Sequence, residues 1–324
     1  MEQYAANLSD IRAAARRIAD HAHRTPVMTS STLDEVAGRR IFLKCEQFQK
    51  VGAFKFRGAL NAVRCLDDGQ ANRGVVTHSS GNHGQALALA ARLRGIPAYI
   101  VMPRTAPAVK QRATAGYGAR VVLCEPTVAA REATAARVQA ETGATPIPPY
   151  DHPAIIAGQG TIALELFEQV PDLDAIVAPV GGGGMISGIA IAARGLDPRV
   201  RVFAAEPLGA DDAARSKAAG RLIPQTAPDT VCDGLLTSLG DCTWPVVRDL
   251  VEEVVTVDDD AVLAAMRLIW ERMKLVTETS AATSVAAVLS DRFGELSGLD
   301  RVAVVLSGGN LDLERLPWAR DNGG

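Results

Sequence analysis

Lys55 stands between two phenylalanines, Phe54 and Phe56, in the stretch GAFKFRGA (52–59). An ammonium group in apolar surroundings loses hydration that is hard to replace. Two readings follow from that chemistry. The stem can pack beside the rings while its tip reaches water, or desolvation can lower the pKa so that a neutral fraction attacks a carbonyl. The stretch alone leaves both open.

Three Gly- and Ser-rich loops carry the other candidate chemistry. VGGGGMISG (180–188) joins an apolar run to a helical one, so Gly181, Gly182, Gly183 and Gly184 can present bare N–H groups and a helix start to an anion. It fits neither common nucleotide pattern. A Gly-x-Gly-x-x-Gly frame meets Ile186 or Ser187 at its third glycine, and Ile189 rather than a lysine follows Gly188. A tight turn is the plain alternative, although it needs fewer glycines. In SSGNHGQA, Asn82 is a helix cap or turn former, or an amide donor to a ligand oxygen, with Ser79 and Ser80 adding hydroxyls. In LSGGN, Ser307 ends an apolar strand, either as an ordinary turn residue or facing a ligand ring nitrogen.

Glu206 closes a strand in AAEPLGADDAA, while Asp211 and Asp212 open the next helix. A first helical turn favours carboxylates in any case; the same oxygens also suit a hard cation such as Mg²⁺ or Ca²⁺. His78 and His83 read as structural histidines, and no ligand spacing suggests zinc.

These loops need strands behind them. From Gly74 onward β-branched runs alternate with alanine-rich helical segments: VVTHSS then HGQALALAARLRG, AYIVMP then APAVKQRATAGYG, RVVLCE then TVAAREATAARVQAETG. The alternation predicts parallel strands joined by right-handed crossovers. Proline-dense TPIPPYDHP interrupts it as the candidate lobe boundary, after which it resumes with DAIVAPV, RVFAAEP, VEEVVTV and RVAVVLSGGN as strands and SAATSVAAVLSDRF as one helix. Two α/β lobes facing each other leave a cleft at converging strand ends, where open sheets bind ligands.

The 324 residues suffice for two lobes. A net charge of -3 offers no basic stripe for nucleic acid, and no apolar run is long enough for a membrane span. Five scattered cysteines without a Cys-x-x-Cys pair and an N-terminus without a signal-like apolar core predict a cytoplasmic protein acting on a small molecule.

Taken in order, FQKVGAFKFRGALNA, THSSGNHGQALALAA, PVGGGGMISGIA, AAEPLGADDA and VVLSGGNLDL resemble the serine/threonine dehydratase and serine racemase family of fold type II pyridoxal 5′-phosphate enzymes, from about Ala14 to Trp318. ALNA, GADDAA and TWPVVRDL are nearest the racemase branch. The resemblance implies two open twisted, mainly parallel-sheet lobes with the cofactor between them: residues 1–67 and 149–324 as the larger, cofactor-binding lobe, residues 68–148 as a smaller mobile one. It implies a homodimer, an amino-acid substrate, and no nucleic-acid or membrane partner.

By position, Lys55 matches the lysine joined as an imine to the cofactor aldehyde, flanked by Phe54. Asn82 matches the ligand of the pyridine 3′-oxygen, Gly181 to Gly184 with Met185 the phosphate loop, and Ser307 the hydroxyl at the pyridine nitrogen. Ser79, Ser80, Gly81, Asn82 and His83 match the grip on the substrate carboxylate, and Ser80 also the acid/base on the face opposite the lysine. Glu206, Asp212 and the carbonyl of Ala210 fall on a divalent-cation site for Mg²⁺, Mn²⁺ or Ca²⁺. Two departures stand out: Ala53 replaces a frequent serine, and Thr279 replaces the proline that usually follows the glutamate matched by Glu278, near the cofactor ring. The chain stops soon after SGGNLDL, so the regulatory domain of long threonine dehydratases is expected to be absent.

The implied reaction is elimination of the β-hydroxyl from L-serine, L-threonine or 3-hydroxyaspartate to a 2-oxo acid and ammonia, accompanied by serine racemisation. A predominant serine racemase and a β-replacement enzyme of the cysteine synthase kind remain as alternatives.

Overall fold

The computed structural model describes residues 4–318. The expected architecture of two mainly parallel sheets is found. Ten strands form them: β1 (Val27–Met28), β2 (Arg40–Cys45), β3 (Val75–His78), β4 (Ala98–Pro103), β5 (Arg120–Cys124), β6 (Thr145–Pro146), β7 (Ala175–Pro179), β8 (Arg201–Pro207), β9 (Glu253–Val257) and β10 (Arg301–Leu306). The larger sheet runs β1-β2-β10-β7-β8-β9 and the smaller β5-β4-β3-β6. Only β1 is antiparallel to its neighbour. Strands β7 and β8 are buried almost throughout, as expected of parallel strands covered on both faces.

The three loops leave the carboxyl ends of β3, β7 and β10. Helices Asn82–Arg94 and Gly184–Leu196 follow the first two directly.

A third helix, Pro153–Gln169, joins the parts. Pro153 starts it where a missing N–H costs nothing, and His152 caps it by accepting the Ala154 N–H. Along one side it meets the helix Lys55–Cys65 at Gly58 and Gly158: a Cβ on Gly158 would lie 2.5 Å from Gly58 Cα and 2.8 Å from Arg57 O. One turn away it meets Gly184–Leu196, where a Cβ on Gly188 would lie 2.5 Å from Gly160 N. Backbones therefore touch without intervening side chains.

The same helix supplies Thr161, Glu165 and Gln169 to a buried polar cluster. Arg57, 1% exposed, donates Nε and Nη2 to Glu46 at 2.8 Å each and Nη1 to Glu165 at 2.6 Å, while Lys44 donates to Glu165 at 2.6 Å and to Gln169 at 2.8 Å. Burial works against both cations. Glu46 and Glu165 outweigh it at Arg57, whose pKa is raised, whereas Lys44 is held below its ordinary value despite Glu165.

Two sequence expectations need correction. SAATSVAAVLSDRF is not one helix: Thr279–Val288 ends and Ser290 caps a new turn, Asp291–Gly294, by accepting the Phe293 N–H. Asn82 does not cap a helix either; it is the first residue of Asn82–Arg94, and its side chain points to other partners.

Gly158→Ala tests the backbone contact. Overpacking of this kind costs about 1–3 kcal/mol and sometimes more, so the urea midpoint is expected to fall clearly. An unchanged midpoint would show that the two helices can separate freely.

Candidate active site

The helix Lys55–Cys65 begins on Lys55 itself, and its N-cap, Phe54, makes no side-chain capping bond. Its start is held from outside. Phe54 N–H donates to Ser307 O at 3.0 Å, and Ala53 forms an isolated antiparallel bridge with Gly308. Lys55 and Ser307 are thereby neighbours across the end of β10.

Lys55 Nζ donates to Pro149 O at 2.8 Å and lies 5.0 Å from the centre of the Phe54 ring. Burial draws its pKa down to about 8, with Glu278 working in the opposite direction. Of the two readings of GAFKFRGA, the desolvated amine is the one observed.

Ser307 is 3% exposed, and its hydroxyl has no hydrogen-bond partner among the described residues. The Gly181–Gly184 loop is buried and enters its helix through Gly183 at φ +84°, a conformation suited to glycine. A Cβ on Gly182 would overlap the Tyr150 ring, and one on Gly184 would lie 2.9 Å from Tyr150 Cα. Thr243 Oγ1 donates to Gly182 O at 2.9 Å. Met185, 4% exposed, packs beneath the loop.

TPIPPYDHP proves to be more than a connection. Thr145–Pro146 is the edge strand of the smaller sheet, Pro149 holds Lys55, Tyr150 lies on the glycine loop, and Asp151 Oδ1 accepts the N–H groups of Cys242 (2.8 Å) and Thr243 (3.1 Å).

Asn82 Nδ2 donates to Glu278 Oε1 at 3.0 Å, and its Oδ1 accepts from Asn310 Nδ2 at 2.9 Å. Asn310 also donates Nδ2 to Val51 O at 2.6 Å and its backbone N–H to Glu278 Oε2 at 3.0 Å. Val51 sits at φ +59°, an outlier for a β-branched residue, four positions before Lys55. Glu278 is drawn up to about 7 by burial and the nearby Asp233, against the donors on Asn82 and Asn310.

Ser79, Ser80 and Gly81 are half-buried in the loop after β3. Ser79 Oγ accepts the Gly81 N–H at 3.4 Å. His83 donates Nε2–H to Ile147 O at 2.9 Å, while its Nδ1 is buried without a partner; burial and then Lys55 drive its pKa down to about 3, so it is neutral at ordinary pH. The interior histidine was expected; its half-satisfied ring was not.

Glu206 lies apart from Lys55, fully buried at the end of β8, and accepts the N–H groups of Ala213 (3.0 Å) and Ala214 (2.9 Å) in the first turn of Asp212–Ala219. Ala210 ends the short turn between them. Asp212 Oδ2 accepts the Leu239 N–H at 3.2 Å; its Oδ1 is buried and unpartnered. Burial pushes Glu206 up to about 8 and Asp212 to about 6. Among the described residues no cluster of three His, Cys, Asp or Glu side chains is placed to hold a metal.

A half-buried amine, an open glycine cradle at a helix start, and an unpartnered strand-end hydroxyl fit a phosphorylated heteroaromatic aldehyde. The comparisons agree. The family of pyridoxal-phosphate dependent enzymes matches residues 18–308, and the chain belongs to that family. Human serine racemase is 52% identical over 324 residues, covering 98% of this chain and 95% of that protein. The structure of maize serine racemase matches with a TM-score of 0.95 at 51% identity, covering 98% of this chain and 97% of the other. The structure of a bacterial threonine deaminase, from T.th., matches with a TM-score of 0.89 at 44% identity, covering 94% of this chain and 99% of the other.

Asn310 joins three parts of the site, and Asn310→Ala would leave Val51 O and Asn82 Oδ1 without it. Each buried group so exposed costs about 1–3 kcal/mol. A fall of that size in unfolding free energy is expected by urea titration; a change under about 0.5 kcal/mol would show that water replaces the amide.

Proposed function

We propose that this chain eliminates water from a hydroxyamino acid, L-serine, L-threonine or 3-hydroxyaspartate, to give a 2-oxo acid and ammonia, and racemises serine at the same site. The observation that carries this is Lys55: an amine drawn to about 8, oriented by Pro149 O and connected through backbone and side-chain contacts to Ser307, Asn82 and Gly182. Relatives named serine racemase and threonine deaminase lend support.

Pyridoxal phosphate, when bound, supplies an electron sink that acidifies the substrate Cα–H. Lys55 takes that proton. A pKa near 8 leaves part of the amine neutral near neutral pH, yet basic enough to hold the proton once taken. Gly181 to Gly184 and Met185 offer the phosphate their N–H groups, Asn82 and Ser307 take the ring's two polar edges, and Phe54 packs beside the lysine. Ser79, Ser80, Gly81, Asn82 and His83 hold the substrate carboxylate from the start of Asn82–Arg94. His83 acts there without charge. Ser80 returns a proton from the other face, so elimination and racemisation diverge after one shared abstraction. Residues 68–148 are the lobe that moves over the substrate.

Glu206, Asp212 and the Ala210 carbonyl are proposed to hold Mg²⁺, Mn²⁺ or Ca²⁺, supported by the unpartnered Asp212 Oδ1. A cytoplasmic homodimer completes the reading. A β-replacement enzyme would need an added thiol, so pyruvate from L-serine alone separates the two. A non-catalytic sensor would lack the visible absorption of the bound cofactor.

Ser80→Ala is expected to suppress serine racemisation at least about tenfold more than elimination of L-serine, read by chiral chromatography and keto-acid assay; equal losses count against the two-face role. The cation adds a pH test. Both carboxyls are raised in the fold, so without metal their contribution to stability is full below their unfolded values, near pH 4, and is lost as pH rises through about 6 and about 8. A divalent cation requires them ionised. The rise in Tm on adding Mg²⁺ is therefore expected to be larger at about pH 8.5 than at about pH 5.5, and no rise at either pH removes the site.

A further inference from the structure

The first turn of a helix leaves N–H groups unsatisfied, and the helix Lys55–Cys65 has no side-chain cap of its own. Phe56 and Arg57 turn their N–H groups back to Ala53 O and Phe54 O, at 3.4 and 3.0 Å. The Gly58 N–H points out of the helix start to Gln159 Oε1, 3.1 Å away on Pro153–Gln169. Gln159 is fully buried, and its Nε2 has no partner. A buried amide with one idle end is held for what its other end does. Here the working end is the acceptor.

The surroundings leave little room for Gln159 to do anything else. Its side chain lies 2.5 Å from the place a Gly58 Cβ would occupy, so Gly58 must lack one. Its own helix begins three residues beyond Tyr150, close to Pro149, whose carbonyl holds Lys55 Nζ. One helix thus carries both a clamp on the turn after Lys55 and, just upstream, the acceptor for the lysine tip. We propose that Gln159 is a positioning residue for Lys55, accepting the Gly58 N–H so that the amine is held against Pro149 O. This rests on the reading of Lys55 as the reactive amine.

Displacement of the first turn would move Nζ relative to everything that sets its basicity. The charged or titratable groups facing it are Glu278, which opposes the effect of burial, and neutral His83, which in turn feels the lysine; the Phe54 ring and Pro149 O complete its contacts.

The test compares Gln159→Met with Gln159→Glu. Both remove the idle Nε2, but only methionine removes the acceptor. Two readouts are needed: kcat and KM of the holoenzyme on L-serine, and the pH midpoint for acetylation of Lys55 in the full chain freed of cofactor, mapped by peptide mass and checked by circular dichroism. In wild type the midpoint should lie near 8. Gln159→Glu is expected to stay within a few tenths of that, with kcat within about threefold. Gln159→Met is expected to lose about tenfold or more in kcat at a KM within about twofold, with the midpoint displaced at least about one unit toward the ordinary lysine value. A folded Gln159→Met with wild-type kcat and midpoint overturns the role, as does an equal displacement in both variants. If Gln159→Met does not fold, Gln159→Glu decides: a displaced midpoint overturns the proposal, a wild-type one supports it. Failure of the underlying reading looks different, because wild-type Lys55 would then carry no borohydride-trapped cofactor.

Discussion

Two backbone contacts on the helix Pro153–Gln169, Gly158 with Gly58 and Gly160 with Gly188, fix the distance between the lysine helix and the glycine-loop helix. No side chain can stand between them, and none can shorten to compensate for a shift. Close-packed interiors transmit such constraints instead of absorbing them. The consequence appears two residues after Lys55, where Arg57 is carried into the interior and must be neutralised there. Glu46 comes from the loop after β2 and Glu165 from the central helix, so the pairing also ties the larger sheet to the helix that spans the site. A buried ion pair is weak support for stability against an apolar replacement. Losing either carboxylate alone would leave an unpaired buried charge, which makes the cluster a fixer of register.

The electrostatics of the site share one origin. Lys55, Glu278, His83 and Glu206 are all shifted first by burial, the lysine and histidine downward and the carboxyls upward. A dry interior favours every neutral form. That suits a base that must be uncharged before it acts, and it explains why Glu278 can sit beside Asn82 and Asn310 without a cation of its own. With a pKa near 7 it accepts amide hydrogens in either protonation state through at least one oxygen, so Asn82 keeps its orientation as the charge varies.

Much of this was legible in the sequence wherever the signal was local. The alternation after Gly74 announced both sheets because each β-branched run is followed by alanine-rich helical spacing. The loops carrying Ser79 to Asn82, the four glycines and Ser307 announced themselves by composition. Strand β2 did not, since RIFLKC hides a buried lysine and cysteine, and the lysine's carboxylate partner lies more than a hundred residues away. Asn310 and Glu278 act through contacts 196 to 259 positions apart in sequence, for which no local pattern exists. Tyr150 left a trace: four glycines in a row imply that something large presses on them, but not what. The proline density of its segment pointed to a break in the chain and concealed a wall of the site.

The departure at Thr279 has a physical account. Proline suits the first position of a helix because its missing N–H has no partner to lose, and Thr279 occupies that position after Glu278. Threonine gives up the preset backbone angle but brings a hydroxyl, which donates to Val231 O at 2.8 Å. Ser280 Oγ accepts the Gly234 N–H at 2.9 Å, and Thr283 Oγ1 meets Cys232 Sγ at 3.3 Å. Three hydroxyls on one helix therefore stitch down the segment Val231–Gly234. Asp233 lies within that segment, where its charge raises the Glu278 pKa while it pairs with Lys110 of Ala108–Gly116 at 3.2 Å. Placing Asp233 consistently matters more than the rigidity a proline would add, because its field reaches the carboxyl that orients Asn82.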